Sequence, residues 1–129
     1  MIQVVLDASA ILALLRNERG AEAVSDKLAG SLMTTVTLSE VVSYYARTGA
    51  SEGQIRPLLD NLQTECVPFD EDLAYLAGLL LPKTRPAGLS FGDRACLALA
   101  KRLGATALTA DRSWQRIAGA IGAKVELIR

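Results

Sequence analysis

The sequence contains no histidine among its 129 residues, and that absence excludes several kinds of chemistry. Histidine-based catalytic triads, histidine general bases and histidine-ligated zinc all require an imidazole. Cysteine is also scarce, with 2 in the chain; Cys66 and Cys96 lie far apart, without the CxxC spacing of metal or redox sites. Cys96 falls on the apolar face of a predicted helix, so we interpret it as a small core residue. This use of cysteine predicts a cytosolic protein.

The sequence also lacks an excess of charge of either sign. Its 14 basic and 14 acidic side chains cancel, so no global positive field attracts nucleic acid. A site for a polyanion must therefore be local. The candidate basic residues are Lys83, Arg85, Arg112 and Arg116, although a solvated surface is the more common explanation for each.

Long apolar runs are missing as well. None reaches the roughly 18 residues of a membrane span, so the sequence predicts neither a membrane segment nor export. Aromatic residues make up 5% of the chain and hydrophobic residues 50%, which predicts a core of Leu, Val, Ile and Ala. A chain of this length most commonly forms one domain, and we expect one over residues 1–129.

Short apolar strands alternate with helices along the chain. Strands are predicted at residues 2–6, 31–35, 66–69, 106–110 and 124–129. Helices are predicted at residues 8–18, 20–29, 37–49, 51–63, 70–81, 91–103 and 112–122, with a loop at 82–88. Pro57 predicts a kink or break in its helix. The alternation predicts an α/β fold, with a mainly parallel, twisted sheet of about five short strands and helices on both faces.

Four acidic residues fall near one predicted edge of this sheet. Asp7 and Asp111 directly follow strands, Glu40 lies just after another strand, and Asp93 begins a helix that leads into one. Ligands of open α/β sheets bind beyond the carboxyl ends of the strands. Four carboxylates meeting there would repel one another and raise their pKa values unless a cation lay among them. Their joint placement therefore favours a metal site.

Each acid also has a simpler explanation on its own. Asp93 lies on the apolar face of its helix, where a first-turn carboxylate relieves the helix dipole. Asp111 is suited to be an N-cap. The spacing from Thr37 to Glu40 is that of a capping box. None of these explanations accounts for all of the acids together.

The available donors favour a hard cation. Carboxylates without histidine or paired cysteine select Mg²⁺ or Mn²⁺, and no EF-hand loop favours Ca²⁺. The hydroxyls of Ser9 and Thr109 are placed to orient ligands or water, or else to make ordinary local hydrogen bonds. Such a site suits phosphoryl transfer by a metal-activated water. Nucleotide P-loop and dinucleotide GxGxxG motifs are absent, and an aspartyl-phosphatase DxD pair would need an acid where Ser9 stands.

Four blocks of the sequence resemble a known family. "VVLDASAILALL", "TLSEVV", "LSFGDRACLALAKRLG" and "ALTADRSW" are similar, in this order, to the PIN domain and more narrowly to VapC-type toxin ribonucleases of toxin–antitoxin pairs. The resemblance implies an acidic quartet that binds Mg²⁺ or Mn²⁺ and activates water to cleave RNA. This quartet corresponds to Asp7, Glu40, Asp93 and Asp111. On this basis we expect Asp7 and Asp93 to be the principal metal ligands, with Glu40 and Asp111 completing the site. Ser9 and Thr109 correspond to the small hydroxyl residues that accompany it.

The same resemblance implies partners: a homodimer and a cognate antitoxin whose C-terminal segment blocks the active-site groove. Arg85 and Arg112 are candidate contacts to RNA phosphates. Two alternatives remain open from the sequence. One is a non-catalytic PIN-like module that binds a peptide or RNA, with the acids serving as helix caps. The other is a housekeeping RNA-processing nuclease without an antitoxin.

Overall fold

The computed structural model describes residues 3–129, and strands alternate with helices throughout this part of the chain. The strands are β1 (Val4–Leu6), β2 (Ser31–Thr34), β3 (Thr64–Val67), β4 (Thr106–Thr109) and β5 (Lys124–Leu127). The helices are α1 (Ala8–Leu15), α2 (Ala21–Asp26), α3 (Thr35–Arg47), α4 (Glu52–Asp60), α5 (Glu71–Leu79), α6 (Leu81–Thr84), α7 (Phe91–Leu103) and α8 (Gln115–Ile121). Short 3-10 turns cover Arg85–Ala87 and Arg112–Trp114.

The five strands form one parallel sheet in the order β3-β2-β1-β4-β5. The central strand β1 pairs with β2 through Val5 and Leu32, and with β4 through Leu6 and Leu108. The chain adds strands outward from β1 in both directions, so the reversal of order lies between β1 and β4. This point is where α/β sheets form a crevice at the carboxyl ends of their strands.

Two apolar clusters cover the two faces of the sheet. Residues of β1 alternate between them, because neighbouring side chains of a strand point to opposite faces. Val5 packs with Leu97 and Trp114 of the α7 and α8 side, whereas Leu6 packs with Ile11 of α1 on the other side. The predicted α/β fold with helices on both faces is confirmed.

Several predicted boundaries agree with the structure. Helix α7 covers the predicted residues and ends at Gly104, whose φ of 63° is the left-handed conformation that glycine adopts easily. Cys96 is fully buried in the core, as predicted. The first strand begins at Val4; Ile2, which the prediction included, lies outside the described residues. None of the helices described between residues 3 and 129 has the length and hydropathy to cross a bilayer.

Three other predictions were wrong. The stretch 82–88 is helical for most of its length, since α6 and a 3-10 turn replace the predicted loop. Helix α3 begins at Thr35, two residues earlier than predicted, because Thr34 caps it. Helix α4 continues through Pro57 to Asp60 without a break. Proline removes the hydrogen bond to the carbonyl of Gly53, which lies in the first, exposed turn, where water can replace the lost donor.

Candidate active site

The carboxylate of Asp7 lies at the carboxyl end of the central strand. Asp7 follows β1, begins α1 as its N-cap, and is 4% exposed. Its Oδ2 accepts hydrogen bonds from the hydroxyls of Ser9, at 2.7 Å, and Thr109, at 2.8 Å. Burial raises the pKa of Asp7 to about 6, and the charge of Asp93 adds to this rise, while the hydroxyl bonds oppose it. The fold therefore holds a carboxylate where its charge is costly.

The two hydroxyls connect the ends of β1 and β4. Ser9 Oγ accepts a hydrogen bond from the amide of Ala110 at 3.0 Å, and Thr109 Oγ1 accepts one from the amide of Asp111 at 3.1 Å. The two oxygens lie 3.2 Å apart. Ser9 and Thr109 thus bond both to the backbone and to the carboxylate of Asp7, which combines the two roles considered from the sequence.

Asp93 lies in the first turn of α7 and closes a capping box with Ser90. The amide of Ser90 donates to Asp93 Oδ2 at 2.9 Å, and the amide of Asp93 donates to Ser90 Oγ at 3.2 Å. Burial raises the pKa of Asp93, the hydrogen bonds with Ser90 lower it, and the charge of Asp111 raises it further. Asp93 therefore caps the helix and also faces the other acids.

Glu40 does not belong to a capping box, so that interpretation of the sequence was wrong. Thr34 is the N-cap of α3 and accepts from the amide of Thr37 at 3.1 Å, which leaves Glu40 in the second turn. Its Oε1 is buried without a hydrogen-bond partner among residues 3–129. Burial, together with the charges of Asp7 and Asp93, raises the pKa of Glu40 to about 7.

Close packing against α7 places this carboxylate. A Cβ atom added to Gly92 would lie 2.4 Å from the Cδ of Glu40, much closer than atoms can approach. Any larger residue at this position would displace Glu40. The sequence does not predict this function of Gly92, because the contact depends on how α3 and α7 meet. Ser90, by contrast, could have been found from the capping-box spacing of Ser90 and Asp93.

Asp111 follows β4 and caps the 3-10 turn after it, as one interpretation of the sequence proposed. Its Oδ1 accepts bonds from the amide of Ser113 at 2.9 Å and from the Ser113 hydroxyl at 2.7 Å. Its charge acts on the pKa of Asp93. Asp111 thus approaches the other acids from the β4 side of the crevice.

The structure brings the four predicted acids into one electrostatically coupled group, but a loose one. Among residues 3–129, no three His, Cys, Asp or Glu side chains are grouped closely enough to hold a metal ion. The donors are all oxygens, and one of them, Glu40 Oε1, is buried and unpartnered. This donor set fits Mg²⁺, which is commonly held by one or two carboxylates and completes its shell with water.

The two predicted RNA-contacting arginines are less closely connected to the acids. Arg85 and Arg112 are exposed, and each belongs to a 3-10 turn. Neither side chain forms an ion pair within the described residues. Their role stays a prediction. Two other arginines are connected to the acids: Arg47 lines a groove with Glu40, and the charge of Arg94 lowers the pKa of Asp93.

Comparisons with known proteins agree with this architecture. The structure is similar to DNA-bound VapBC from Salmonella typhimurium, with a TM-score of 0.79 at 18% identity over 100% of both chains. It is similar to VapBC-1 from nontypeable Haemophilus influenzae, with a TM-score of 0.71 at 21% identity over 98% of each chain. It is also similar to VapBC-5 of Mycobacterium tuberculosis, a member of the VapBC family of toxin–antitoxin systems. There the TM-score is 0.63 at 26% identity, over 100% of this chain and 99% of that one.

No curated protein sequence matches the chain. The family model described as the PIN domain matches residues 4–120. This match covers four of the five strands, β1 to β4, and the helices from α1 through nearly all of α8. The resemblance found in the four sequence blocks is thereby confirmed, and the chain belongs to the PIN-domain family.

Proposed function

We propose that the protein is an endoribonuclease dependent on Mg²⁺ or Mn²⁺, and that it acts as the toxin of a toxin–antitoxin pair. One observation carries the proposal: the buried carboxylate of Asp7 is coupled to Glu40 and Asp93 at the carboxyl edge of the sheet. Such a concentration of negative charge is unfavourable in the protein alone. A divalent cation offsets this cost and supports phosphodiester chemistry.

We assign the metal-holding role to Asp7 and Asp93, with Glu40 and Asp111 completing the site. A divalent ion bound there supplies an activated water and neutralises charge on the phosphate. Ser9 and Thr109 fix the orientation of the Asp7 carboxylate by donating to its Oδ2. Hydrogen bonds of this kind hold metal ligands in the position required for binding.

The toxin assignment is supported by the similarity to VapBC structures, one of which is a member of a family of toxin–antitoxin systems. We propose that a cognate antitoxin binds over the active-site groove and that the protein forms a homodimer. The housekeeping alternative is distinguished by expression in a bacterial host without the antitoxin. A toxin arrests growth, and Asp7→Asn abolishes the arrest; an RNA-processing enzyme leaves growth unchanged.

The nuclease activity is tested with the purified protein and a mixed pool of tRNA and ribosomal RNA. We expect discrete fragments with Mg²⁺ or Mn²⁺ and none with EDTA. Asp7→Asn and Asp93→Asn keep the side-chain shape while removing the charge, so both should abolish cleavage without unfolding the protein. Asp26→Asn is the matched control, because it removes an exposed carboxylate at the end of α2.

Two outcomes contradict the proposal. Full activity in Asp7→Asn would show that the metal site is wrongly assigned. Absence of cleavage by folded, antitoxin-free protein under all metal conditions would favour the non-catalytic binding module instead. The capping bonds of Asp93 and Asp111 are the observations that support this alternative.

A further inference from the structure

A groove beside the acids contains aromatic and cationic side chains that have no part in the metal site. It lies between α3 and the start of α7 and encloses about 630 Å³, a volume typical of ligand sites. Glu40 and Gly92 line it, so one of the four acids forms part of its wall. Tyr44, Arg47 and Phe91 also contribute to its walls.

The ring of Phe91 is unusually exposed for a large apolar side chain, at 51%. Phe91 is the first residue of α7, two positions before Asp93. The ring of Phe69 lies nearly perpendicular to it at 5.5 Å, and the guanidinium carbon of Arg94 lies 5.8 Å from its centroid. These contacts restrain the ring, while about half of the residue's surface stays exposed to solvent.

Arg47 provides a positive charge on the other wall of the groove. Within residues 3–129 it forms no ion pair, and its guanidinium carbon lies 5.8 Å from the centroid of the Tyr44 ring. Arg16 contacts the same ring at 5.0 Å but is paired with Glu18 at 2.6 Å. Tyr44 therefore positions an arginine whose charge is available to an anion.

We propose that this groove is a subsite for single-stranded RNA, in which Phe91 stacks on an unpaired base beside the scissile phosphate. Arg47, positioned by Tyr44, binds a neighbouring phosphate. This inference rests on the proposed RNA-cleaving function. Stacking on an aromatic side chain accepts any base, because every base has a π-face. A base in a duplex is already stacked on its neighbours, so the subsite selects unpaired strands.

The first test measures binding of a fluorescein-labelled RNA of roughly 12 nucleotides, within the range of single-strand site sizes. Fluorescence anisotropy is recorded in Mg²⁺ with the Asp7→Asn protein, which prevents cleavage. Adding Phe91→Leu should raise the Kd for the single strand by about 5- to 150-fold and leave the Kd for the same RNA as a duplex unchanged. Phe91→Tyr retains the ring and should bind normally.

Tyr75→Leu is the matched control, because Tyr75 is 69% exposed on α5 and does not line the groove. It should leave both Kd values unchanged. A second readout uses 2-aminopurine in the RNA, whose fluorescence falls when the base stacks. Its fluorescence should fall on binding to the protein that retains Phe91 and should not fall on binding to the Phe91→Leu variant. If the protein with Phe91 and the Phe91→Leu variant bound the single strand equally well, the subsite would be overturned. The exposed face of Phe91 would then be left to a protein partner.

The phosphate contact has its own signature in the salt dependence of binding. Arg47→Gln should make the slope of log K against log[salt] shallower by about 0.7, the value for one phosphate of a single strand. Lys124→Gln removes the same charge at the amino end of β5 and should leave the slope unchanged. An unchanged slope in Arg47→Gln would contradict the assigned phosphate contact.

Cleavage kinetics distinguish failure of the subsite from failure of the proposed function. In protein with Asp7 intact, Phe91→Leu should raise KM for single-stranded RNA while kcat changes less than about twofold, since uniform binding is lost. Cleavage with an unchanged KM in Phe91→Leu would disprove the subsite and retain the nuclease. Binding that depends on Phe91 without any cleavage would disprove the nuclease and retain the subsite.

Discussion

The acidic residues of the crevice are held in an environment that favours their neutral forms. Burial brings the pKa of Asp7 to about 6 and that of Glu40 to about 7, whereas their ordinary values are 3.8 and 4.5. In the absence of a cation, the folded protein therefore binds more protons than the unfolded chain between the ordinary and the raised pKa values of these two acids. The charge that the proposed chemistry needs is a cost to folding at neutral pH.

This imbalance predicts the sign of the pH dependence of stability. An acid whose pKa is raised by folding stabilises the fold below its unfolded pKa, and this contribution is lost as the pH rises through the folded value. In EDTA, the free energy of unfolding should fall between about pH 4 and pH 7. Urea titrations followed by circular dichroism at several pH values measure it.

Asp7→Asn isolates the contribution of Asp7, which is the most buried of these acids. At pH 7.5 in EDTA the variant should be more stable than the parent by about 1–3 kcal/mol, and the two should converge below about pH 4. Asp26→Asn, in which an exposed carboxylate is removed, should not change the profile. If the variant were no more stable than the parent at pH 7.5, the buried charge of Asp7 would not destabilise the fold as proposed.

The contact between Gly92 and Glu40 gives a second prediction for single residues. An alanine Cβ would overlap the Glu40 carboxylate, which is the mobile end of a flexible side chain. Gly92→Ala should therefore fold, with stability within about 1 kcal/mol of the parent, and displace Glu40. A displacement of a catalytic group by about 1 Å can reduce activity on the order of 10²-fold. Gly119→Ala in α8 is the control, because its Cβ meets nothing within 4 Å; equal cleavage by the two variants would contradict the role of Gly92.

These residues also show what the sequence could and could not predict. Asp7 and Asp111 were placed correctly because each follows a strand, and strand ends are visible in the hydrophobic pattern. The position of Glu40 against Gly92 depends on the packing of two helices that lie about 50 residues apart in the chain. Periodicity within one segment carries no information about such a contact.

Helix α7 combines a structural and a functional role in its first turn. The capping box of Ser90 and Asp93 both begins the helix and restrains the Asp93 carboxylate. Helix α4 begins with a second capping box, formed by Ser51 and Gln54 at exposed positions that do not line the groove beside Glu40. The two helices therefore allow the capping contribution to be separated from any catalytic one.

Ser90→Ala and Ser51→Ala should each lower the free energy of unfolding by about 0.5–2 kcal/mol, because each removes an N-cap. Thermal unfolding measures these losses. Only Ser90→Ala should also reduce RNA cleavage, since it releases the restraint on Asp93. If both variants cleaved RNA at the parental rate, the capping box would contribute to folding alone.

Boundaries of helices were predictable where the capping residue marks them in the sequence. Ser90 and Gly104 delimit α7, and its predicted ends match the structure. The predicted loop at 82–88 contains two prolines, yet Pro82 lies in the first turn of α6, where its missing amide is tolerated. Local composition therefore does not distinguish a loop from a short helix that has proline in its first turn.

At the scale of the whole molecule, the site forms only in the folded sheet, where the ends of β1 and β4 lie side by side. Asp7 follows β1 and Asp111 follows β4, which are neighbours in the sheet but lie about 100 residues apart in sequence. The parallel α/β class follows from the alternation of strands and helices. The order β3-β2-β1-β4-β5 does not, because one sequence does not specify which strands pair.

A cation bound across this junction should stabilise the entire domain, since the unfolded chain does not present the carboxylates together. The free energy gained is RT ln(1 + [L]/Kd), about 2.7 kcal/mol when the Mg²⁺ concentration is 100 times the Kd. Differential scanning calorimetry at pH 7.5 should show a Tm that rises with Mg²⁺ or Mn²⁺. Because protons compete with the metal for Asp7 and Glu40, the increase should be smaller at pH 5.5.

Asp7→Asn should abolish this metal dependence and Asp26→Asn should retain it. The stabilisation does not depend on RNA or on turnover, so it tests the metal site separately from catalysis. A Tm insensitive to both ions in the parent protein would leave the acids only their capping and hydrogen-bonding roles. A metal-dependent Tm in a protein that cleaves no RNA would instead retain the site and reject the proposed substrate.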